Sequence, residues 1–367
     1  MTLHCAFIGF GKSTTRYHLP YVLHRKDRWQ VAHIYRRRAK PEEQAPQYSH
    51  IHFTSDLEEV LNDPLVKLVV VCTHADSHFE YAKKALEAGK NVLVEKPFTP
   101  TLEEAKTLFA LANSKGLTVT PYQNRRFDSC FLTTKKVIES GKLGELVEIE
   151  SHFDNYRPLA ETNPGGPQNG EFYGLGVHTL DQIISLFGRP DHVSYDLRSL
   201  RNKANPDDTF EAQLFYGDMK AIVKTSHLVQ IDYPKFIVHG HKGSFVKYGI
   251  DQQETSLKAN VMPGEPGFGA DDSVGELCMS TRQGRWCAKR CRWRAAIMVG
   301  CTTRCTTPSS TASRITSRKL TFSPIWRSCS AALSSLHRPP LPLPDKSNWL
   351  LCACSYFLNR GVNFHPL

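Results

Sequence analysis

Strand-like and helix-like segments alternate through the first 122 residues, and this alternation limits the possible folds more than any other feature. Short apolar runs occur at "LHCAFIGFG", "WQVAHIY", "LVKLVVVCT", "NVLVEKPF" and "LTVTPY". Between two of them, "SHFEYAKKALEAGK" has a helical apolar face closed by Gly89. Another segment, "TLEEAKTLFALANSKG", opens with a capping box from Thr101 to Glu104 and ends at Gly116. The pattern predicts an α/β fold with a doubly wound parallel sheet.

The length of the chain predicts a second domain. Its 367 residues are too many for one ordinary hydrophobic core. The segments "DTFEAQLFYGDMKAIVKTSHL" and "PKFIVHGHKGSFVKYG" alternate apolar and polar residues across Gly-bearing turns, which is typical of strands in an open sheet. We therefore predict one domain at residues 1–122, a second α/β domain at residues 123–275 and an atypical segment at residues 276–367.

Charge separates the last segment from the rest. Residues 276–367 contain 14 Lys and Arg against two acidic residues, a net charge of +12, whereas residues 1–275 contain 32 basic and 34 acidic residues, a net charge of −2. The main part of the chain therefore gives no reason to expect a nucleic-acid partner. The basic segment has three interpretations: a zinc module, a basic nucleic-acid arm, or the product of a shifted reading frame. The zinc module would use Cys287, Cys291, Cys301 and Cys305.

We favour the frameshift, because the segment loses Asp and Glu and keeps no sustained period of 3.6 or 2. We expect neither a further strand nor a C-terminal helix there. The nucleotide sequence tests this hypothesis, which fails if the other frames near codon 275 offer no patterned continuation.

Cysteine and hydropathy predict a cytoplasmic protein. Only Cys5, Cys72 and Cys130 occur in the first 275 residues, which suits a reducing compartment without disulfides. No run of about 20 apolar residues occurs, and the N-terminus has no export signal, so no membrane partner is expected. No metal site is predicted in residues 1–275, since the histidines there lack a ligand spacing.

The first apolar run leads into a Gly-rich turn. Gly9 and Gly11 precede "KSTTRYHL", in which Lys12 and Ser13 would open a helix, and Thr14 occupies the position of a third glycine. Glycines let a backbone approach a pyrophosphate, and a helix N-terminus supplies N–H groups to it. The turn predicts a dinucleotide-binding loop, followed by a helix that Pro20 keeps short or kinked.

The end of the second strand indicates which dinucleotide is bound. An acidic residue there would hold the ribose 2′-hydroxyl of NAD, but this chain has Arg36, Arg37 and Arg38. Guanidinium groups pair well with a 2′-phosphate, so the residues favour NADP, with NAD as the alternative cofactor. The other interpretation is an exposed basic loop.

Lys96 follows the apolar run of "NVLVEKPF". Ligands of an open parallel sheet bind at the carboxyl ends of its strands, so this charged group is a candidate for chemistry. Taken alone, it is equally a solvated loop lysine.

Several motifs in order resemble the Gfo/Idh/MocA family of oxidoreductases, which includes glucose-fructose oxidoreductase and inositol dehydrogenase. They are the G-x-G start, "VVVCT…H", "ALEAGK", "VLVEKPF", "QNRRFDSCFLTTKKVIESGKLGELVEIESHFDNYRP" and "YGLGVHTLDQIISLFGRP", and they cover residues 1 to about 275. The resemblance implies a Rossmann domain followed by an α/β domain with an open, mainly antiparallel sheet. It also implies a homodimer.

The resemblance further implies the site residues. Lys96 would lie beside the nicotinamide ribose and the reacting oxygen, before an unusual, cis Lys–Pro bond, and His178 would be the catalytic base. Cofactor contacts would add Thr73, His78, Glu95 and Pro97. Substrate contacts would be Asn124, Arg125 and Arg157, and Tyr156 and Tyr173 are further candidates. Asp181 follows His178 by three residues and so shares its helical face, where it would orient the His178 ring or hold a substrate hydroxyl.

One position departs from the family pattern. Family dehydrogenases commonly carry an aspartate four residues before this histidine, where this chain has Gly174. Three alternatives follow: His178 works with Lys96 alone, Tyr173 or Tyr156 shares the proton transfer, or the activity has drifted. The predicted function is an NADP-dependent oxidoreductase acting on a CH–OH group of a sugar, polyol or related small carbonyl compound. The rival hypothesis is an inactive nucleotide-binding relative that acts as a sensor.

Overall fold

A computed structural model describes residues 2–159, 165–280 and 286–292, the last of these by backbone only. The zinc, nucleic-acid and frameshift interpretations concern a segment that lies mostly outside the described residues. Within the described residues, no helix is both long and apolar enough to span a membrane.

The first domain is a six-stranded parallel sheet. Its strands are β1 (Leu3–Ile8), β2 (Trp29–Tyr35), β3 (His52–Thr54), β4 (Val66–Val71), β5 (Asn91–Val94) and β6 (Val119–Pro121). They are arranged in the order β3-β2-β1-β4-β5-β6, and every neighbouring pair is parallel. This order is that of a doubly wound dinucleotide-binding fold, so the predicted architecture is confirmed.

Helices cover both faces of this sheet, and apolar side chains fill the space between them. They are α1 (Leu19–Leu23), α2 (Leu57–Asn62), α3 (His78–Glu87) and α4 (Leu102–Ser114). The capping box at Thr101 is present, and Gly89 and Gly116 have positive φ after α3 and α4. The short first helix is also confirmed: a π-helical turn over Ser13–His18 leads into α1, whose second residue is Pro20.

The second domain places two helices against an eight-stranded sheet of the described chain. The helices are α5 (Ser129–Glu139) and α6 (Val177–Phe187), and α6 follows a π-helical turn over Phe172–Gly176. The strands are β7 (Leu146–His152), β8 (His192–Arg198), β9 (Thr209–Tyr216), β10 (Met219–Ser226), β11 (Phe236–Gly240), β12 (Gly243–Lys247), β13 (Val274–Ser280) and β14 (Trp286–Arg292). Their order is β14-β13-β12-β11-β7-β10-β9-β8, and β7 and β10 are the only parallel pair among the described strands of this second sheet. The predicted open, mainly antiparallel sheet is confirmed.

The expectation of no strand after residue 275 is wrong. β13 pairs with β12 along its length, and Leu277 on β13 is buried in the core of the second domain. β14 continues the sheet by pairing with β13. The error arose because β13 combines a mixed pattern, "VGELCMS", with the start of the basic composition, so its period of 2 is weak over seven residues.

The chain returns to the first domain through α7 (Gln253–Lys258). Leu257 on this helix is buried in the apolar cluster of the parallel sheet. The Tyr17 hydroxyl donates to Glu254 Oε1 at 3.0 Å. The helix therefore fixes the second domain beside the carboxyl end of the first sheet.

Candidate active site

The Gly-rich turn lies at the carboxyl end of β1. Gly9 has φ +108°, and a Cβ there would lie 2.6 Å from the Cys72 carbonyl oxygen, so only glycine fits. A Cβ on Gly11 would meet no atom within 4 Å, which leaves open space for a bound group. Thr14 replaces the third glycine without widening the turn, because its buried hydroxyl donates to the Gly9 carbonyl at 2.8 Å. These residues fit the pyrophosphate of a dinucleotide.

A buried polar group lies directly beneath this turn. Glu95 Oε1 accepts from the Ser13 hydroxyl and lies 2.8 Å from His18 Nε2. Glu95 Oε2 accepts from the Lys96 backbone N–H at 3.0 Å. Burial lowers the pKa of His18, but the neighbouring Cys72 sulfur and the Glu95 carboxylate outweigh it and raise the pKa to about 10. The glutamate of the E-K-P motif therefore joins the Gly-rich turn to the end of β5 through a charged histidine.

We expect His18→Gln to destabilise the protein in a pH-dependent way. A folded pKa above the unfolded value of about 6.5 means that the charged His18 stabilises the fold fully below pH 6.5, and this contribution is lost as pH rises through about 10. Urea unfolding should show a loss of about 3 kcal/mol near pH 6 and a clearly smaller loss near pH 9.5. His74→Gln, on an exposed histidine, is the control. A loss of equal size at both pH values would contradict the assignment.

The three arginines after β2 differ in their surroundings. The Arg36 guanidinium donates Nε to Glu43 Oε1 at 2.8 Å and Nη2 to Glu43 Oε2 at 3.0 Å, so both carboxylate oxygens hold it. Arg37 and Arg38 are exposed. The prediction that Arg36 and Arg37 contact the cofactor stays a prediction, and the structure leaves Arg37 and Arg38 with side chains in solvent.

Lys96 leaves the end of β5 and reaches the second domain. Its peptide bond to Pro97 is cis, as the resemblance implied. Lys96 Nζ donates to the Gly174 carbonyl oxygen at 3.2 Å, across 78 residues of sequence. Burial lowers the pKa of Lys96 from its usual value and Arg125 adds to this effect, while the Glu95, Glu171 and Glu254 carboxylates oppose it. The side chain is thus a partly buried amine in the cleft between the domains.

His178 lies in the first turn of α6, four residues after the carbonyl that holds Lys96. The ring is 5% exposed, and its Nδ1 has no hydrogen-bond partner in the described part of the chain. Burial lowers the pKa of His178 well below its usual value, and the charges of Lys96, Arg125 and Lys235 lower it further. The imidazole is therefore neutral at physiological pH and able to accept a hydrogen bond, while its lowered pKa weakens it as a proton acceptor. Its role as the catalytic base stays a prediction.

Asp181 pairs with Arg126 rather than with the His178 ring. Arg126 donates Nε to Asp181 Oδ2 at 2.6 Å and Nη2 to Oδ1 at 2.7 Å. The carboxylate is buried, and both of its oxygens are engaged. The interpretation in which Asp181 orients the ring is therefore corrected: the aspartate fixes the start of the second domain against α6.

Thr73 lies just after the neighbouring strand β4, and His78 begins the helix α3 that follows. The buried His78 ring places Nδ1 2.8 Å from the Pro97 carbonyl oxygen and Nε2 3.1 Å from the Thr73 carbonyl oxygen. The Thr73 hydroxyl accepts from Ser77 at 2.8 Å. His78 thus joins the loops after β4 and β5, which makes it a framework residue of the predicted cofactor site.

Asn124 and Arg125 form part of the wall between the domains. Arg125 Nη2 donates to Glu254 Oε2 at 2.6 Å, and Nη1 donates to Asp128 Oδ2 at 3.3 Å. Together with Tyr17, Tyr21 and Tyr122, both residues line a small interdomain cavity. Arg125 therefore has carboxylate partners of its own and contributes positive potential to the cleft.

The remaining candidates lie farther out. Tyr156 is 51% exposed, and Arg157 is exposed and donates its backbone N–H to the His227 carbonyl oxygen at 2.8 Å. Tyr173 is partly buried in the π-helical turn before α6, with its ring against Phe172. The structure brings Tyr173 to the turn that holds Lys96 and leaves Tyr156 and Arg157 in an exposed segment after β7.

Sequence reasoning missed three residues of this site: His18, Arg126 and Glu171. Arg126 stands in the recognised "QNRRFD" motif, so its charge was visible but its partner was not. Glu171 precedes "FYGLGVH" and is only partly exposed. No local pattern marks His18, which lies at the end of the turn that Gly11 begins.

The first domain is a doubly wound sheet with a Gly-rich turn, and the second domain packs beside a lysine at one of its strand ends. These features define the class of two-domain, nicotinamide-dependent oxidoreductases. The comparisons agree. A model described as "Oxidoreductase family, NAD-binding Rossmann fold" matches residues 3–123, and one described as "Oxidoreductase family, C-terminal alpha/beta domain" matches residues 135–310. The chain belongs to the Gfo/Idh/MocA family of oxidoreductases.

Two relatives illustrate the range of similarity. The uncharacterized oxidoreductase YhhX of Escherichia coli (strain K12) is 87% identical over 277 residues, which covers 76% of this chain and 80% of YhhX. The scyllo-inositol 2-dehydrogenase (NADP(+)) IolW of Bacillus subtilis (strain 168) is 36% identical over 273 residues, covering 74% of this chain and 75% of IolW.

Solved structures show the same architecture. A crystal structure of a probable oxidoreductase yhhX superposes with a TM-score of 0.84 and 69% identity, covering 98% of this chain and 96% of that chain. An oxidoreductase from Bacillus cereus gives a TM-score of 0.83 at 41% identity, covering 100% of this chain and 99% of that chain.

Proposed function

We propose that this protein is an NADP-dependent oxidoreductase that interconverts a CH–OH group and a carbonyl on a sugar, polyol or related small compound. The observation that carries the proposal is the contact of Lys96 Nζ with the Gly174 carbonyl at 3.2 Å. It places an amine from the cofactor-binding sheet beside the helix that bears His178, which is where a substrate between the two domains would react.

The Gly-rich turn at Gly9 and Gly11, with Thr14 fixing its shape, would hold the pyrophosphate. Lys96 would lie next to the nicotinamide end, because β5 adjoins β4 and β4 adjoins β1 in the sheet. A bound nicotinamide supplies the two-electron acceptor or donor that the protein itself lacks. The protein contributes position and proton transfer.

Lys96 is the group best placed to exchange a proton with the substrate oxygen. As an ammonium, Nζ donates a hydrogen bond that polarises a carbonyl; as an amine, it accepts the proton of a hydroxyl. Burial lowers the pKa of Lys96, which brings both forms closer to working pH. Neutral His178 accepts a hydrogen bond from the same or the adjacent hydroxyl and so orients the substrate.

The test is NADP⁺ reduction with a panel of cyclic polyols and aldoses, followed by absorbance at 340 nm. The panel starts with scyllo-inositol, since IolW is named for that substrate and is 36% identical. A thermal melt with NADPH tests cofactor binding separately. Stabilisation without turnover on any member of the panel would point to the nucleotide-binding rival, and no response in either assay would remove the proposal.

The exposed arginines make a prediction about cofactor choice. Arg37→Ala and Arg38→Ala together should weaken NADPH binding by about 10- to 100-fold, because each loses a charge-assisted hydrogen bond to the 2′-phosphate. NADH binding, measured by the same fluorescence titration, should change little. Arg28→Ala, on another largely exposed arginine, is the matched control. An equal loss for both cofactors would show that the arginines do not contact the 2′-phosphate.

We also propose that the protein works in the cytoplasm as a homodimer, on the strength of the family resemblance and of the free thiols Cys5, Cys72 and Cys130. The division at residues 122 and 275 stays a prediction. The frameshift is retained as a proposal, supported by a match to YhhX that spans 277 of the 367 residues.

A further inference from the structure

A carboxylate stands beside the backbone that holds Lys96. A Cβ added to Gly174 would lie 3.1 Å from Glu171 Oε2. The carbonyl of the same residue accepts from Lys96 Nζ at 3.2 Å. The Glu171 carboxylate and the Lys96 ammonium therefore both lie close to residue 174.

Three carboxylates act on Lys96: Glu95, Glu171 and Glu254. Glu95 is committed to the Gly-rich turn, since its oxygens bind Ser13, His18 and the Lys96 backbone N–H. Glu254 is likewise engaged by side chains around the interdomain wall, from Arg125, Tyr17 and Lys258. Neither has an oxygen free to move with the lysine.

Glu171 is different. Its only ion-pair contact among the described residues is Oε1 to His227 Nε2 at 3.5 Å, which is long for a hydrogen bond. Its backbone is fixed instead, because its N–H donates to the Asp207 carbonyl at 2.9 Å. The backbone of Glu171 is thus fixed, while its carboxylate has only this weak contact and can reorient toward a neighbouring cation.

Other charges around Glu171 set its ionisation. Burial raises the pKa of Glu171, and Asp207 adds to this effect, while Lys96, Arg201 and Arg157 lower it. His227, which faces Glu171 from the end of β10, has a pKa lowered by burial to about 4 and is therefore neutral. Among these three cations, Lys96 most strongly favours the ionised form of the Glu171 carboxylate.

We propose that Glu171 is a positioning residue for Lys96: the charge of its carboxylate, close to the residue whose carbonyl Lys96 contacts, favours the ammonium form of the lysine and so sets where and when Lys96 exchanges its proton. The role in turnover rests on the proposed oxidoreductase function. The electrostatic relation between Glu171 and Lys96 does not, and it can be measured without a substrate.

The primary experiment is competitive acetylation of the full chain, with mass spectrometry of the Lys96 peptide across pH. Glu171→Gln keeps the side-chain shape and removes the charge, so Lys96 should be more reactive near neutral pH by about fivefold, as a larger fraction is the free amine. Glu80→Gln, on an exposed residue of α3, should leave Lys96 unchanged. Unchanged Lys96 reactivity in Glu171→Gln would overturn the proposal.

A second variant tests whether a change in Lys96 reactivity comes from the lost charge and not from a disturbed fold. Gly174 lacks a positive φ, and a Cβ there would point toward the Glu171 carboxylate, so Glu171→Gln combined with Gly174→Asp returns a carboxylate close to the one that was removed. This double variant should return Lys96 reactivity toward the parent value. If Glu171→Gln does not fold, the single variant Glu171→Asp replaces it, since it keeps the charge on a shorter side chain and should fold. Lys96 in Glu171→Asp should be more reactive than in the parent but less reactive than a lysine without a nearby carboxylate. Lys96 reactivity equal to that of the parent at every pH would count against the role of Glu171.

The kinetic readout separates this proposal from the proposed function. With a substrate in hand, Glu171→Gln should move the pH profile of kcat/KM in the same direction as the Lys96 labelling curve, and Gly174→Asp in that background should restore it. A change in labelling with no turnover in any form would sustain the pairing and reject the enzyme. A shifted labelling curve with an unmoved pH profile would show that Lys96 is not the group that titrates in turnover.

Discussion

Lys96→Met should reduce kcat by about 10²- to 10⁴-fold while leaving the NADPH-induced rise in melting temperature intact. The size is that expected when a positioned proton donor or acceptor is lost. Methionine keeps the length and the apolar stem of lysine, so the strand end and the cis peptide bond have no steric reason to change. Initial rates with the best substrate of the panel and a melt with NADPH are the two measurements.

The pH dependence of kcat/KM, compared between the parent and Lys96→Met, tests whether Lys96 acts as the amine. In the direction that oxidises an alcohol, the amine form of Lys96 is needed, so kcat/KM of the parent should rise with pH through a pKa below the ordinary lysine value, because burial lowers the pKa of Lys96. In Lys96→Met this rise should disappear. Lys84→Met, on an exposed lysine of α3, is the control. A variant that kept full turnover would remove Lys96 from the mechanism.

Asp181→Asn should destabilise the protein by about 3 kcal/mol, because it removes one partner of a buried ion pair. The change preserves the shape of the side chain but removes the carboxylate to which the Arg126 guanidinium donates two hydrogen bonds, at 2.6 and 2.7 Å. Urea unfolding at pH 7, with the free energy extrapolated to zero denaturant, measures the loss.

The matched control is another Asp–Arg pair in the same domain. Asp196 and Arg198 on β8 are joined at 2.9 Å, but their side chains are 57% and 53% exposed. Exposed pairs contribute about 1 kcal/mol or less, so Asp196→Asn should change stability little. Equal losses for the two variants would mean that burial of the Asp181 pair adds nothing.

Much of the backbone of the first domain could be predicted, although β3 (His52–Thr54) and α2 (Leu57–Asn62) were not. Apolar runs of strand length, a capping box at Thr101 and glycines at helix ends are local signals, and each corresponds to an observed strand, cap or turn. The second domain was predicted as an open sheet from two hairpins. Its last described strands were missed because "VGELCMS" carries a weak alternation into a region of unusual composition.

The site was less predictable, because a charged residue type does not identify its partner. Arg36 was expected to face a 2′-phosphate, yet its guanidinium donates Nε and Nη2 to the two carboxylate oxygens of Glu43, seven residues away. Asp181 was expected near His178 from its helical spacing, but Arg126 reaches it from 55 residues earlier. Distance and burial select among equally plausible partners, and neither is visible in a single sequence.

The sequence by itself determined the alternation of strands and helices, the Gly-rich turn and the position of Lys96 at a strand end, because these depend on periodicity and on backbone preferences of neighbouring residues. Only the tertiary structure decided what surrounds the lysine. The Gly174 carbonyl comes from a π-helical turn in the other domain, and the Glu171 carboxylate comes from the residue just before that turn. Their electrostatic effect on Lys96 falls off with distance and depends on burial, so it exists only once the two domains have packed together.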